Sequence, residues 1–328
     1  MKSLSVWLAS ICIWVTTASH AQVTLNDRTS IEFATIQQAR EILLKRDNFV
    51  EHMSPFDRAA RMKTDKVVTE KEFLEFVGKN VLEWDDAEKE KITSALLGIQ
   101  KQCEALSLPF PKKVFMIKTT GDEEGKAAYT RANAIILPKN EIAAPPAKIR
   151  SMICHELFHI LSRANPELRE KLYEIIGFVK CGEAEFPSEL KSRKITNPDA
   201  PANNHRILLK FHGKDAWAIP ILFSAVEKYD PARGGEFFDY LQFKFLIVEN
   251  QVLAPDVNPA NSGRKDRLAG IEEFSGFEEQ VGKNTKYIIH PEEILADNFT
   301  LLLLERDKAL SPEIITRMET VLKDVRAK

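Results

Sequence analysis

Two histidines and a glutamate stand close together near the middle of the chain, at His155, Glu156 and His159. An α-helix turns by about 100° per residue, so the two histidines lie on one face, one turn apart. Two imidazole nitrogens placed in this way can reach one ion at about 2.0–2.1 Å, the distance typical of zinc. The motif H-E-x-x-H therefore predicts a Zn²⁺ site with His155 and His159 as ligands. Glu156, beside that face, is predicted to be the general base that takes a proton from water.

The surrounding sequence favours a buried helix. The predicted helix begins at Pro145-Pro146, where proline is tolerated, and ends at Asn165-Pro166. Its apolar side chains form one stripe, made of Ile149, Ile153, Leu157 and Ile160. This context makes a chance occurrence of the motif much less common than in an arbitrary stretch of sequence.

A catalytic zinc site has three protein ligands and an open fourth position. One class of zinc peptidases supplies its third ligand as the last histidine of H-E-x-x-H-x-x-G-x-x-H. This chain has Ser162 and Asn165 at the last two fixed positions of that pattern, which excludes the class. The third ligand must therefore come from elsewhere in the chain.

A second short motif lies near the C-terminus, in a segment that starts at His290-Pro291. There Glu293 and Asp297 form E-x-x-x-D, with Ile294, Leu295 and Phe299 as apolar neighbours. With its two motifs the chain resembles the gluzincin metallopeptidases. The resemblance implies that Glu293 is the third zinc ligand. It also implies that Asp297 binds the far imidazole nitrogen of one of the zinc-binding histidines. A carboxylate on the far imidazole nitrogen fixes the tautomer of the ring and raises its basicity.

Three other glutamates remain open as the third ligand. In the gluzincin pattern the ligand glutamate follows within a few tens of residues, whereas Glu293 lies much further along the chain. Glu183 and Glu185 lie nearer the usual distance, but neither has an aspartate four residues later. Glu292 is the neighbour of Glu293 in the same predicted helix turn. The sequence favours Glu293.

The resemblance implies peptide-bond hydrolysis of a peptide or protein substrate by a zinc-activated water. A further donor would stabilise the oxyanion of the transition state. The sequence offers three candidates for this donor, namely His205, Tyr287 and His290. The loop Asn197-Pro198-Asp199-Ala200-Pro201, which precedes His205, is a candidate wall of the site. In the family an edge strand before the zinc helix pairs with the substrate backbone, and residues 127–137 are in that place.

The elements predicted around these residues indicate an α+β fold, and the resemblance to gluzincins implies that it is zincin-like. Apolar periodicity predicts helices at 34–45, 69–82, 86–106, 291–305 and 312–325. Alternation predicts strands at 113–119 and 127–137, which form a hairpin or lie adjacent in one sheet. It also predicts an inserted small antiparallel sheet from 206–211, 216–224 and 237–248. We therefore expect a helical N-terminal region at 22–110, followed by a zincin-like catalytic domain at 111–328 with a β-rich insertion at about 180–265.

Composition and the N-terminus narrow the function classes. One positive charge, a short apolar run and small residues ending at Ala21 predict a signal peptide at residues 1–21, and hence a periplasmic or secreted protein without a membrane anchor. A formal net charge of −2 without a long basic run argues against nucleic acid as a partner.

Of the cysteines, Cys103 and Cys154 are expected in buried helices, and Cys181 is expected to be more exposed.

Two other function classes are compatible with the sequence. The first is a zinc-binding protein without proteolytic activity, such as a scaffold or an inhibitor-like domain. Glu156 argues against it, because a structural metal site needs no base. The second is a helical binding protein in which the motif occurs by chance, and a metal analysis would identify it.

Overall fold

The computed structural model describes residues 22–248 and 267–324. The predicted signal peptide lies outside these ranges, as does the part of the predicted insertion that follows residue 248. Within them, every helix falls short of the length or the apolarity needed to cross a membrane. The described chain is a mixed α+β structure with two separate sheets, as the sequence predicts at this level.

The first sheet has the strand order β1-β2-β4-β6-β5, with β3 paired to β4. Its inner strands β2, β4 and β6 are parallel to one another, while β5 runs antiparallel to β6 and forms one edge. The strands are β1 (Gln22–Asn26), β2 (Thr29–Phe33), β3 (Val81–Leu82), β4 (Lys113–Thr119), β5 (Tyr129–Arg131) and β6 (Ala134–Pro138).

Helices α1 to α5 lie between strands of this sheet in the chain, and the other helices follow it. Most begin at a side-chain cap or at a proline, the residues that favour a helix N-terminus. They are α1 (Ile36–Leu43), α2 (Asn48–His52), α3 (Pro55–Arg61), α4 (Glu70–Asn80), α5 (Asp86–Leu106), α6 (Lys139–Ile142), α7 (Pro146–Ala164), α8 (Pro166–Ile175), α9 (Ser188–Lys191), α10 (Phe277–Val281), α11 (Pro291–Leu304) and α12 (Pro312–Asp324).

The second sheet is antiparallel throughout its described pairs and has the order β11-β10-β9-β8-β12, with β7 paired to β8. Its strands are β7 (Phe178–Lys180), β8 (His205–Phe211), β9 (Lys214–Ser224), β10 (Leu241–Val248), β11 (Arg267–Ala269) and β12 (Phe274–Ser275). The predicted inserted sheet is present, but it extends beyond the predicted bounds at both ends.

The main apolar core joins the two sheets through helices α7 and α11. It contains Ile135 from the first sheet and Phe245 from the second, both fully buried. Leu157 of α7 and Leu295 of α11 are also fully buried in the same cluster. Because α7 and α11 share this core, residues far apart in sequence are held side by side.

Two expectations need correction. The 22–110 region is not purely helical, because β1, β2 and β3 belong to it and β2 pairs directly with β4 across the expected boundary at residue 110. Residues 127–137 are not one strand. They fold into the hairpin of β5 and β6, with Ala132 at a left-handed φ of 50° in the turn. An alanine gives little sequence signal for such a turn, because glycine or asparagine is the usual residue there.

Candidate metal centre

Helix α7 carries the first three site residues into the interior. Pro146 opens the helix, and the apolar stripe predicted from the sequence is buried, so the opposite side of the helix faces α11. The side chain of His159 is 1% exposed, whereas that of His155 is 18% exposed. Glu156 is buried beside them. The motif therefore lies in a low-dielectric interior with one partly open side.

Helix α11 brings the carboxylates. Pro291 occupies its first turn, and the imidazole of His290 caps it by accepting a hydrogen bond from the Glu292 N–H at 3.1 Å. Glu292 and Glu293 follow in the same turn and are each 2% exposed. The next apolar side chains are fully buried and hold the helix against α7. They are Ile294, Leu295 and Phe299.

Three side chains converge between the two helices. Glu293 Oε2 lies 3.0 Å from His155 Nε2 and 3.7 Å from His159 Nε2. One ligand atom from each residue falls within 4.8 Å of the other two. Ligand atoms of a tetrahedral zinc ion are about 3.3 Å apart, given bonds of about 2.0–2.1 Å. The separations in the structure bracket that value.

Each histidine has a carboxylate on its other nitrogen. His155 Nδ1 lies 2.9 Å from Asp297 Oδ1, and His159 Nδ1 lies 3.1 Å from Glu292 Oε1. A carboxylate at Nδ1 accepts a hydrogen bond from the N–H of that nitrogen, which leaves the Nε2 lone pair directed at the centre. Both rings are thus oriented and polarised as metal ligands require.

Glu292 is fixed by two further donors. Its Oε2 accepts hydrogen bonds from Ser162 Oγ at 2.8 Å and from the Tyr173 hydroxyl. Burial alone would raise the pKa of Glu292, but the hydrogen bonds from His159, Tyr173 and Ser162 outweigh it and lower the pKa. Glu292 is therefore an ionised carboxylate turned toward His159 and away from the point where the three side chains converge.

The donor set fits a divalent cation. His159 Nε2 is buried and has no hydrogen-bond partner among the described residues, and the Glu293 carboxylate faces both Nε2 atoms. Burial lowers the pKa of His159, but the charges of Asp199 and Glu293 outweigh it and raise that pKa to about 9. A cation at the centre would replace the proton that otherwise compensates these carboxylates.

Glu156 lies beside this centre without being one of the three converging ligands. Its Oε2 is buried and lacks a hydrogen-bond partner among the described residues. Burial, reinforced by the charge of Asp199, raises the pKa of Glu156 to about 8. A carboxyl group with a pKa near neutrality is suited to take and return a proton.

The loop before β8 also enters the site. Asn197 Nδ2 donates a hydrogen bond to Glu293 Oε1. Asp199 accepts hydrogen bonds from the backbone N–H of Thr130 at 2.8 Å and from the Thr130 hydroxyl. Ligand atoms of Asp199, Glu156 and His159 all lie within 4.8 Å of one another. The loop that the sequence indicates as a wall of the site therefore contacts Glu293 and lies beside His159 and Glu156.

The three candidate oxyanion donors lie in different places. Tyr287 is 42% exposed and stacks over His155, with ring centroids 6.4 Å apart. His205 is buried and bonded to Glu170 at 2.9 Å, and His290 caps α11. His205 and His290 line a cavity of about 340 Å³ on the Tyr173 side, behind His159. Of the three, only Tyr287 stacks directly on a predicted ligand.

Two alternative ligands lie away from the centre. The Glu183 carboxylate accepts a hydrogen bond from the Asn203 N–H at 2.8 Å, and Glu185 pairs with Lys191 at 2.8 Å. Both glutamate side chains are 40% exposed. Their nearness in sequence to the zinc helix is not matched by nearness in space.

Sequence reasoning missed four roles in the site. The carboxylate on His159, its two hydroxyl donors and the approach of Asp199 all depend on how distant elements pack. Glu292 gave a partial signal, because it is next to Glu293 in an otherwise apolar helix. Ser162 and Tyr173 gave none, since a single hydroxyl in a buried helix is ordinary. The cysteines follow expectation, with Cys103 and Cys154 buried and Cys181 partly exposed, all three as free thiols.

The chain was compared with protein families, curated proteins and solved structures, and none of them matches it. No protein-family model matches the chain, and neither a curated protein nor a solved structure is significantly similar to it.

Proposed function

We propose that this protein is a zinc-dependent peptidase of the gluzincin type, with a zincin-like catalytic unit formed around α7 and α11. The observation that carries the proposal is the convergence of His155 Nε2, His159 Nε2 and Glu293 Oε2, with a carboxylate behind each imidazole. Structural metal sites need neither an uncommitted carboxylate nor a raised carboxyl pKa beside them, and Glu156 supplies both.

The residues have distinct roles in this proposal. His155, His159 and Glu293 would hold the ion, while Asp297 and Glu292 orient the two imidazoles. Zinc, when bound, supplies Lewis acidity that activates water and polarises a carbonyl group. Glu156 would accept a proton from the attacking water and pass it to the leaving amine.

Tyr287 is the best placed of the donors for the developing oxyanion. Its ring stacks on His155, and burial, reinforced by the charge of Glu293, raises the pKa of the Tyr287 phenol well above its ordinary value, so the hydroxyl keeps its proton at neutral pH. Removing one oxyanion donor typically lowers kcat by about 10²–10³-fold. His205 and His290 are assigned structural roles, because their hydrogen bonds are made to Glu170 and to the start of α11.

The decisive experiment replaces Glu156 by glutamine. Because Glu156 is not one of the three ligands, Glu156→Gln should keep one zinc per chain, measured by elemental mass spectrometry. Its hydrolysis of a broad peptide library should fall by about 10²–10⁴-fold, the usual contribution of a general base.

Equal and measurable hydrolysis by wild type and variant would contradict the role of Glu156. Absence of zinc from both after reconstitution would exclude the metal centre. Zinc binding without hydrolysis, both in wild type and in Asp199→Asn, a substitution beside His159 and Glu156, would favour the zinc-binding protein without proteolytic activity.

A further inference from the structure

Residues 197–202, here called the covering segment, contact Glu293 through Asn197 and lie beside His159 through Asp199, between two anchored ends. On its N-terminal side, the backbone of Thr196 donates to Asp57 at 2.9 Å and accepts from Arg61 at 3.0 Å. On its C-terminal side, the carbonyl of Asn203 accepts from the Ala184 N–H at 2.8 Å. Because both ends are fixed in the fold, the covering segment is held in place across the site.

The covering segment binds the free edge of β5, the edge strand of the first sheet. Asp199 Oδ1 accepts the Thr130 N–H on β5, the backbone donor that an added peptide strand would use. The residues of β5 are 2%, 0% and 2% exposed, although β5 is the edge of its sheet. The cavity beside Tyr287, Asp199 and β5 measures about 50 Å³. That volume holds a few water molecules, whereas sites for organic ligands measure about 300–1,000 Å³.

The Asp199 carboxylate also belongs to a second group of potential ligands, which shares His159 with the group of His155, His159 and Glu293. Asp199 accepts hydrogen bonds from Thr130 through Oδ1, and the residue offers a ligand atom within 4.8 Å of His159 and Glu156. Both of those neighbours have a buried polar atom without a hydrogen-bond partner in the described chain, His159 Nε2 and Glu156 Oε2. Arg163 holds the covering segment from the side by donating to the carbonyl of Asp199 at 3.3 Å.

We propose that Asp199 is a fourth ligand of the metal centre and that the covering segment thereby closes the site to substrate. Catalytic zinc sites keep one position for water, whereas sites with four protein ligands are closed. The chain as folded is then a latent peptidase, which becomes active when the covering segment leaves β5 and the centre. This inference rests on the proposed function for the identity of the metal and of the substrate.

The test compares Asp199→Asn with wild type and with the control Asp215→Asn, an exposed aspartate on β9. Loss of a ligand should lower zinc affinity by at least about 10-fold, measured against a chromophoric chelator. It should also change the visible spectrum of the cobalt-loaded protein, since that spectrum reports coordination geometry. Hydrogen exchange at the Thr130 amide should accelerate.

Activity gives a second readout. Hydrolysis of a peptide library should appear or rise in Asp199→Asn and should disappear when Glu156→Gln is added. If Asp199→Asn lowers the melting temperature, Thr130→Val serves instead, because it removes one donor to Asp199 and leaves the carboxylate. Thr130→Val should change amide exchange and hydrolysis in the same direction as Asp199→Asn, but by a smaller factor.

The outcomes separate the two proposals. Zinc affinity and cobalt spectrum unchanged in Asp199→Asn would show that Asp199 is not a ligand. Wild-type hydrolysis equal to or greater than that of the variant would overturn closure and leave the peptidase assignment intact. No zinc binding by any of the proteins would refute the proposed function itself.

Discussion

Replacing Glu292 by glutamine tests the arrangement behind His159. Glu292 Oε1 faces His159 Nδ1 at 3.1 Å, while its other oxygen takes the hydroxyls of Ser162 and Tyr173. A glutamine can keep its carbonyl oxygen on the imidazole, because the two hydroxyls can rotate to accept from its amide group. The ring then keeps its tautomer but loses the negative charge that raises its basicity.

The expected loss is moderate. Partners of this kind contribute about 10–100-fold to metal affinity, which corresponds to about 1.4–2.7 kcal/mol. Glu293→Gln removes a ligand and should cost more than Glu292→Gln. Glu305→Gln, at the exposed far end of α11, should leave zinc affinity unchanged. The assay is competition for zinc between each metal-free variant and a chromophoric chelator, with a melting curve for each variant.

Two results would refute this reasoning. If Glu292→Gln costs more than Glu293→Gln, then Glu292 is the ligand and the roles of the two neighbours are reversed. If Glu292→Gln has the same affinity as wild type, the carboxylate behind His159 does not tune the metal centre. Both results are measurable without a substrate.

Three further predictions concern pH, the third ligand and the N-terminus. Zinc must displace the proton that His159 holds up to a pKa of about 9, so its affinity should rise with pH toward about 9, and a titration that is flat over neutral pH would contradict this. Glu183→Gln and Glu185→Gln should retain full zinc content, because both side chains bind partners outside the centre; metal loss in either would mean that another geometry forms on metal binding. Residues 1–21 should be missing from exported protein, and N-terminal sequencing that finds Met1 would reverse the prediction of cleavage.

The local elements of the site could be predicted because their signals are short in range. Helix α5 has the predicted bounds, and α7 begins and ends at the prolines identified from the sequence. The spacing of His155 and His159 fixes their common face through helix geometry alone. The hairpin at Ala132 was missed, because its turn uses a residue that rarely adopts positive φ.

The sequence by itself determined that His155 and His159 share one face of α7, that Glu156 lies between them, and that a second helix carries adjacent glutamates. Only the tertiary structure decided which carboxylate faces which atom. Glu292 and Glu293 are neighbours about 100° apart on α11, so the rotation of that helix against α7 directs one to Nδ1 of His159 and the other to the centre. The position of Asp199 was decided in the same way, since a loop has no periodicity and its path follows from the buried anchors at Thr196 and Asn203.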